Sequence, residues 1–234
     1  ALASAEECLE VSKTIGSPWA RAVSLYVLGA IYLDLGETGR SIQALEEALP
    51  LAQEAGFNPP VTACLRLALY HGLVGNADEG FELAQESLGN GESRQFSLAA
   101  MAQAHLDRGD PAAAADAIKE AVQGFENGQS DPRAGYAIFQ VIEGQTALAN
   151  GDHQGALALA ERTMGVLAEM GQRMILPDIL RIKGEALLGM GDSAGGMAAL
   201  EEALTEAQTQ GARRPLWAIQ LALGEAAGAL GDQE

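Results

Sequence analysis

Apolar residues do not run far along this chain; they recur among polar ones at intervals of three and four, the spacing that gathers them on one face of an α-helix. The opening stretch, Ala1 to Ile15, has this amphipathic pattern, and Leu25, Leu28 and Tyr32 repeat it in the next element. Runs of β-branched or aromatic residues, which strands favour, are nearly absent, so the expected fold is all helix. No apolar stretch approaches the roughly 18 residues that a membrane-spanning helix needs.

Turn signals break the helical pattern at a regular period. Glycine precedes an acidic residue or Asn at Gly36-Glu37, Gly75-Asn76, Gly109-Asp110, Gly151-Asp152, Gly191-Asp192 and Gly231-Asp232, in steps of 39, 34, 42, 40 and 40. Glycine accepts the left-handed backbone that closes a helix, and Asp or Asn caps the one that follows. A second series, Gly16, Gly56, Gly91, Gly128, Gly171 and Gly211, marks the other helix ends. Two helices per period of about 40 residues is a solenoid of helical hairpins. Pro18, Pro59, Pro60, Pro132, Pro177 and Pro215 fall near the expected starts of first helices, and Pro111 near the start of a second helix. Pro50 is the exception and should kink or shorten its helix.

Fixed offsets from each Gly-acidic turn carry the packing code. Seven residues before it stand Gly29, Ala68, Ala102, Gly144, Gly184 and Gly224; five after it stand Ser41, Gly80, Ala114, Ala156 and Gly196. Nine after it come Leu45, Ala84, Ile118, Ala160 and Leu200, and twelve after it Ala48, Ser87, Ala121, Thr163 and Ala203. Small residues on both helices let their backbones approach, and the larger residue between them fills the gap. This pattern resembles the tetratricopeptide repeat, most closely in the first unit with Leu25, Leu28, Gly29, Tyr32, Ser41, Leu45 and Ala48. The resemblance implies an all-α solenoid, a right-handed superhelix of antiparallel helix pairs. The expected units are 1–16 (a second helix alone), 17–56, 57–91, 92–128, 129–171, 172–211 and 212–234 (a first helix alone).

Most steps exceed the usual repeat of about 34 residues. Long units with endings such as Leu180 to Asp192 resemble the MalT-like branch, as does the stretch Glu201 to Leu221. That branch is found C-terminal in bacterial signal-transduction ATPases, LuxR-type regulators and adenylate-cyclase-like proteins. The chain begins without Met inside a helix and ends on a turn signal, so it is expected to be a fragment of such a multidomain protein.

Charge narrows the functions. Asp and Glu number 32 against 14 Lys and Arg, a net charge of −18, while 48% of residues are hydrophobic and 5% aromatic. The apolar fraction supports a folded core, and the acidity, with no basic stripe, excludes nucleic acid as a direct partner. Cys8 and Cys64 form no CxxC spacing, and no secretory leader is recognisable, which fits a reduced, cytoplasmic setting.

Nothing assembles a catalytic or metal site. His71 and His105 share an offset, four residues before the turn, where the first repeat has Tyr32; each reads as a substitute for that aromatic. His153 reads as an exposed turn residue, and Cys64 as a small apolar one. Glu6-Glu7, Glu46-Glu47 and Glu201-Glu202 are adjacent on helices and do not face one another, so they read as a solvated outer face. Phosphate-loop, GxSxG and HExxH patterns are absent. The expectation is a non-enzyme without cofactor or metal.

In tetratricopeptide arrays the first helices line a concave groove. That rule nominates Tyr26 and Leu33, Leu65 and Leu69, Phe96 and Gln103, Ile138, Val141 and Gln145, then Arg181 and Glu185 as binding residues. The same rule also places Val23, Ala30, Leu73, Ala99, Leu106, Asp178, Leu221 and Glu225 along the groove. The groove is apolar in its first four units and charged in the last two; it is either an open surface or is closed into core by the superhelix. One expected function is a scaffold that receives a protein, a peptide or another domain of its parent. The alternative is a small-molecule sensor that regulates an attached ATPase, cyclase or DNA-binding domain. Self-association through the terminal units, around Leu2, Leu9, Leu216, Trp217 and Leu230, is the third.

Overall fold

The computed structural model describes residues 2–55, 76–88, 94–126 and 136–231, with the backbone alone at 53, 87, 125–126, 136–138 and 230–231. Eleven helices occupy these residues: α1 (Leu2–Ile15), α2 (Pro18–Asp34), α3 (Thr38–Glu54), α4 (Ala77–Leu88), α5 (Arg94–Asp107), α6 (Pro111–Glu126), α7 (Tyr136–Ala149), α8 (His153–Met170), α9 (Leu176–Gly189), α10 (Ser193–Gln210) and α11 (Leu216–Gly231). The described residues contain no strand. The chain divides into two compact units, Ala1–Gly124 and Phe125–Glu234.

Local chemistry sets the helix ends. Ser17 Oγ accepts the Ala20 N–H at 3.3 Å, and Pro18 opens α2, where its missing N–H costs nothing. At the other end Gly36 turns left-handed, with φ of 75°; its N–H bonds to the Leu33 carbonyl, and the Glu37 N–H to the Tyr32 carbonyl, both at 2.8 Å. These are the paired bonds that close a helix on a left-handed residue. Gly109, Gly151 and Gly191 repeat the arrangement. The carboxylates of Asp152 and Asp192 then each accept an N–H of the next helix at 2.9 Å, from Gly155 and Gly195. Gly16, Gly171 and Gly211, from the second glycine series, are left-handed as well. Gly231 instead remains the last residue of α11.

Pro50 lies inside α3, which continues to Glu54 rather than ending early. The expected shortening does not occur, because the turns before and after Pro50 retain their own packing through Leu45, Ala48 and Ala52, all buried.

Within each unit the offset code becomes contact. In the first unit α1 packs on α2, α2 on α3 and α4 on α5. Ser41 Oγ donates to the Gly29 carbonyl at 2.5 Å, and a Cβ on Gly29 would lie 2.7 Å from Leu45 Cγ. In the second unit neighbours in sequence also pack, and α9 touches both α7 and α11. There Gly184 faces Leu200, and Gly196 faces Leu188 and the Gly184 carbonyl. Leu45, Ala84, Ile118, Ala160 and Leu200, the residues nine after the turn, are all buried. So are Ala48, Ala121, Thr163 and Ala203 three positions later.

Ion pairs join the helices at their rims. Arg21 reaches Glu47 at 2.5 Å and Arg94 reaches Glu120 at 2.6 Å, so the same first-helix position meets the same second-helix position in both hairpins. In the second unit Arg173 grips Glu206 with two bonds, Nε to Oε1 at 2.8 Å and Nη2 to Oε2. None of the described helices is long and apolar enough to cross a membrane.

Candidate functional site

The first helices of the second unit lie side by side, and their common face repeats once per hairpin. Val141, Arg181 and Leu221 occupy one position of α7, α9 and α11; Gln145, Glu185 and Glu225 occupy the position one turn on. Val141 is buried at 8% exposure, Gln145 and Glu185 are half-buried, and Glu225 is exposed. Arg181 is buried at 8%, its Nη1 donating to Glu185 Oε1 at 2.6 Å while its Nε has no partner. Desolvating a guanidinium with one donor unmet is unfavourable unless something else bonds it. This face therefore combines an apolar start, a buried cation and a row made of the Gln145 amide and the carboxylates of Glu185 and Glu225.

Asp178, a groove residue by sequence, is only 2% exposed. Arg214 holds it with two bonds, Nη1 to Oδ1 at 3.1 Å and Nη2 to Oδ2 at 2.5 Å, so it fastens α9 to the start of α11 instead of facing a ligand.

The nominated residues of the first unit are divided between surface and core. Tyr26 is half-buried beside Leu33 and Leu45. Leu33 is buried at 6% and packs on Leu45, so it serves the core. Phe96 is half-buried, and Gln103 spends its Nε2 on Asp107 Oδ1 at 2.9 Å. Leu65 and Leu69 lie outside the described residues, as does the side chain of Ile138.

Histidine and cysteine have packing surroundings. The His105 ring meets Phe81 edge-on, centroids 5.2 Å apart, with Arg108 stacked over the other aromatic at 4.3 Å. Tyr32, at the equivalent offset, lies under the Arg40 guanidinium at 4.0 Å. His153 is not an exposed turn residue: it starts α8, is half-buried, and its ring fills the space over Gly189. A glycine two residues from the next turn leaves a notch, and the imidazole occupies it. Cys8 is free and exposed; His71 and Cys64 lie outside the described residues.

The Arg173–Glu206 and Asp178–Arg214 pairs were not singled out by sequence reasoning. Only Arg173 carried a signal: it stands at the same offset before Gly184 as Arg213 before Gly224.

Comparison with known proteins agrees with this architecture. A tetratricopeptide repeat family model matches residues 95–120 and 137–162, and a model of anaphase-promoting complex subunit 5 matches residues 21–73. A tetratricopeptide repeat protein from Parabacteroides merdae superposes with a TM-score of 0.57 at 13% identity, over 97% of this chain and 84% of that one. The tetratricopeptide-like repeats of a kinesin light chain from Podospora anserina give a TM-score of 0.52 at 18% identity, over 81% and 96%. No curated protein matches. The fold is thus an all-helical α-solenoid like that of tetratricopeptide repeat proteins, with residues 95–120 and 137–162 matching that repeat.

Proposed function

We propose that this chain is a non-catalytic scaffold that receives a protein or peptide segment on the exposed face of its first helices. The observation that carries this reading is the repeated face of α7, α9 and α11. Three helices in register present Gln145, Glu185 and Glu225 beside Arg181 and the half-exposed Leu221. Repetition at a fixed step suits an extended or helical ligand that contacts each unit in turn. Tyr26 and Phe96 offer apolar anchors on the first helices of the other unit. The parent envisaged is a bacterial signalling or transcription-regulatory protein of the MalT-like kind, in which such an array would read out a partner for an attached domain.

Peptide-display selection against the chain tests the proposal, followed by affinity measurements on Leu221→Glu and Phe96→Glu variants. Selected peptides should lose at least about tenfold in affinity to one variant while helical content and melting temperature stay unchanged. Peptides indifferent to both substitutions overturn it.

One observation favours the sensor reading beside it: the unmet Nε of buried Arg181 suits a small anionic ligand. A thermal-shift screen against organic acids and phosphates, with Arg181→Leu as control, tests this. A ligand at a hundred times its Kd should stabilise the chain by about 2.7 kcal/mol. The absence of any Arg181-dependent shift removes this reading.

A further inference from the structure

Three arginines of the second unit meet carboxylates, and each uses a different part of its guanidinium. Arg173 offers its side edge, Nε with Nη2, to the two oxygens of Glu206. Arg214 offers its end edge, Nη1 with Nη2, to the two oxygens of Asp178. Arg181 commits only Nη1, to Glu185 Oε1 at 2.6 Å. Its side edge therefore keeps an Nε that is buried without a protein partner. A planar carboxylate bonds such an edge through two parallel N–H···O bonds, as Glu206 does on Arg173.

Packing does not explain why an arginine stands at this position. Val141 and Leu221 occupy it in α7 and α11, so the repeat accepts an apolar side chain there. Exchanging a buried ion pair for apolar groups is often neutral or stabilising, and it leaves no donor to satisfy. Arg181 is nevertheless at only 8% exposure, on a helix with α7 packed on one side and α11 on the other. Asp178, three residues earlier on α9, spends both oxygens on Arg214.

Charge narrows what the side edge can take. Glu185 already balances Arg181, and Glu225 stands at the same position of α11, whereas Gln145 of α7 is neutral. A monoanion adds one negative charge against these carboxylates, and a phosphate adds nearly two.

We propose, resting on the sensor reading of this face, that Arg181 anchors a binding site for a small organic monocarboxylate. The two ligand oxygens take Nε and Nη2 side-on, while Glu185 keeps Nη1 and holds the plane of the guanidinium.

The Nε–Hε resonance of Arg181 reports the site directly in nitrogen–proton correlation spectra of the 234-residue chain, and its loss in Arg181→Lys assigns it. Acetate, L-lactate, inorganic phosphate and uncharged acetamide are titrated at constant ionic strength. Acetate and lactate should move the resonance downfield and saturate. Acetamide should leave it in place, and phosphate should bind at least about tenfold more weakly. Arg181→Lys keeps the charge without the side edge, and its stabilisation against heat by lactate should require at least about tenfold more acid. Arg181→Met, with no acid added, should melt no lower than the parent chain.

A resonance that neither acid moves overturns the proposal. If phosphate alone moves it, the sensor reading stands and the monocarboxylate falls; if no anion moves it, both fall. Equal response of Arg181→Lys to lactate overturns the side-on fork. An Arg181→Met chain that melts lower, beside a parent indifferent to both acids, assigns Arg181 to structure. A peptide with a free C-terminus that moves the resonance where its amidated form and both acids do not assigns the carboxylate to a polypeptide, and overturns the proposal as stated.

Discussion

Gly29 and Gly224 occupy the same repeat position and should respond oppositely to the same change. At Gly29 an added methyl would lie 2.7 Å from Leu45 Cγ, in a contact that also brings Ser41 to the Gly29 carbonyl. Gly29→Ala should therefore destabilise the chain by about 1–3 kcal/mol, the usual range for overpacking. At Gly224 the space is open, so alanine contributes only its better helix propensity and should stabilise by up to about 1 kcal/mol. Urea midpoints of the two variants decide this; equal shifts would show that Leu45 yields freely. The pair also shows why the packing positions were legible in the sequence. A backbone approach this close tolerates only small residues, and that demand is written at a fixed offset. The groove positions carry no such demand. Leu33 and Val141 lie on a face that the sequence left either open or closed into core, and they are buried, because exposure is decided by neighbouring helices that local sequence does not name.

At the scale of helices, the turn code was readable because a left-handed residue has few chemical solutions, and glycine supplies it at every described interior turn of both series. Pro50 was readable as a defect but not as a tolerated one. Its ring removes one backbone bond in α3 while the surrounding turns stay packed. Pro50→Ala should restore that bond and raise stability by about 1–3 kcal/mol in urea unfolding. A loss would mean that the conformation Pro50 imposes is needed to seat α3. The grip of Arg173 on Glu206 joins the start of α9 to α10, and Gln210 adds bonds to Glu206 Oε1 and the Arg173 carbonyl. Hydrogen bonding by Arg173, opposed by burial, holds the Glu206 carboxyl below the ordinary range. A carboxyl lowered on folding gives stability that is present above its unfolded pKa, about 4.3, and lost as pH falls through the folded value. Arg173→Ala should therefore lower the melting temperature at pH 7 and make its fall between pH 5 and 3, as round limits about the carboxylate range, shallower. A parallel shift at every pH would assign Arg173 a packing role only. Their pairing did not stand out in the sequence, because the whole of α9 lies between them along the chain and only the folded hairpin brings them together.

Across the whole molecule the charge opposes the fold that the repeats build. With 32 acidic and 14 basic side chains, most carboxylates lack a cation to face, although Arg21–Glu47, Arg94–Glu120 and Arg173–Glu206 use some of the arginines. Salt acts on both terms. It weakens the exposed pairs, each worth about 0–1 kcal/mol. It also screens repulsion summed over a net charge of −18, whose reach shrinks from about 30 Å at 0.01 M salt to about 8 Å at 0.15 M. The second term is collective and the first is a handful of local contacts, so repulsion wins. The melting temperature at pH 7.5 should rise as NaCl goes from about 0.01 to 0.15 M. Near pH 4.5, where protonation removes much of the negative charge, the rise should shrink or change sign, since only the pairs are left to screen. Calorimetry at the four combinations of salt and pH is the check. A melting temperature that falls with salt at pH 7.5 would mean that the inter-helix pairs outweigh the excess of carboxylates, and that the acidic outer face contributes to holding the hairpins together.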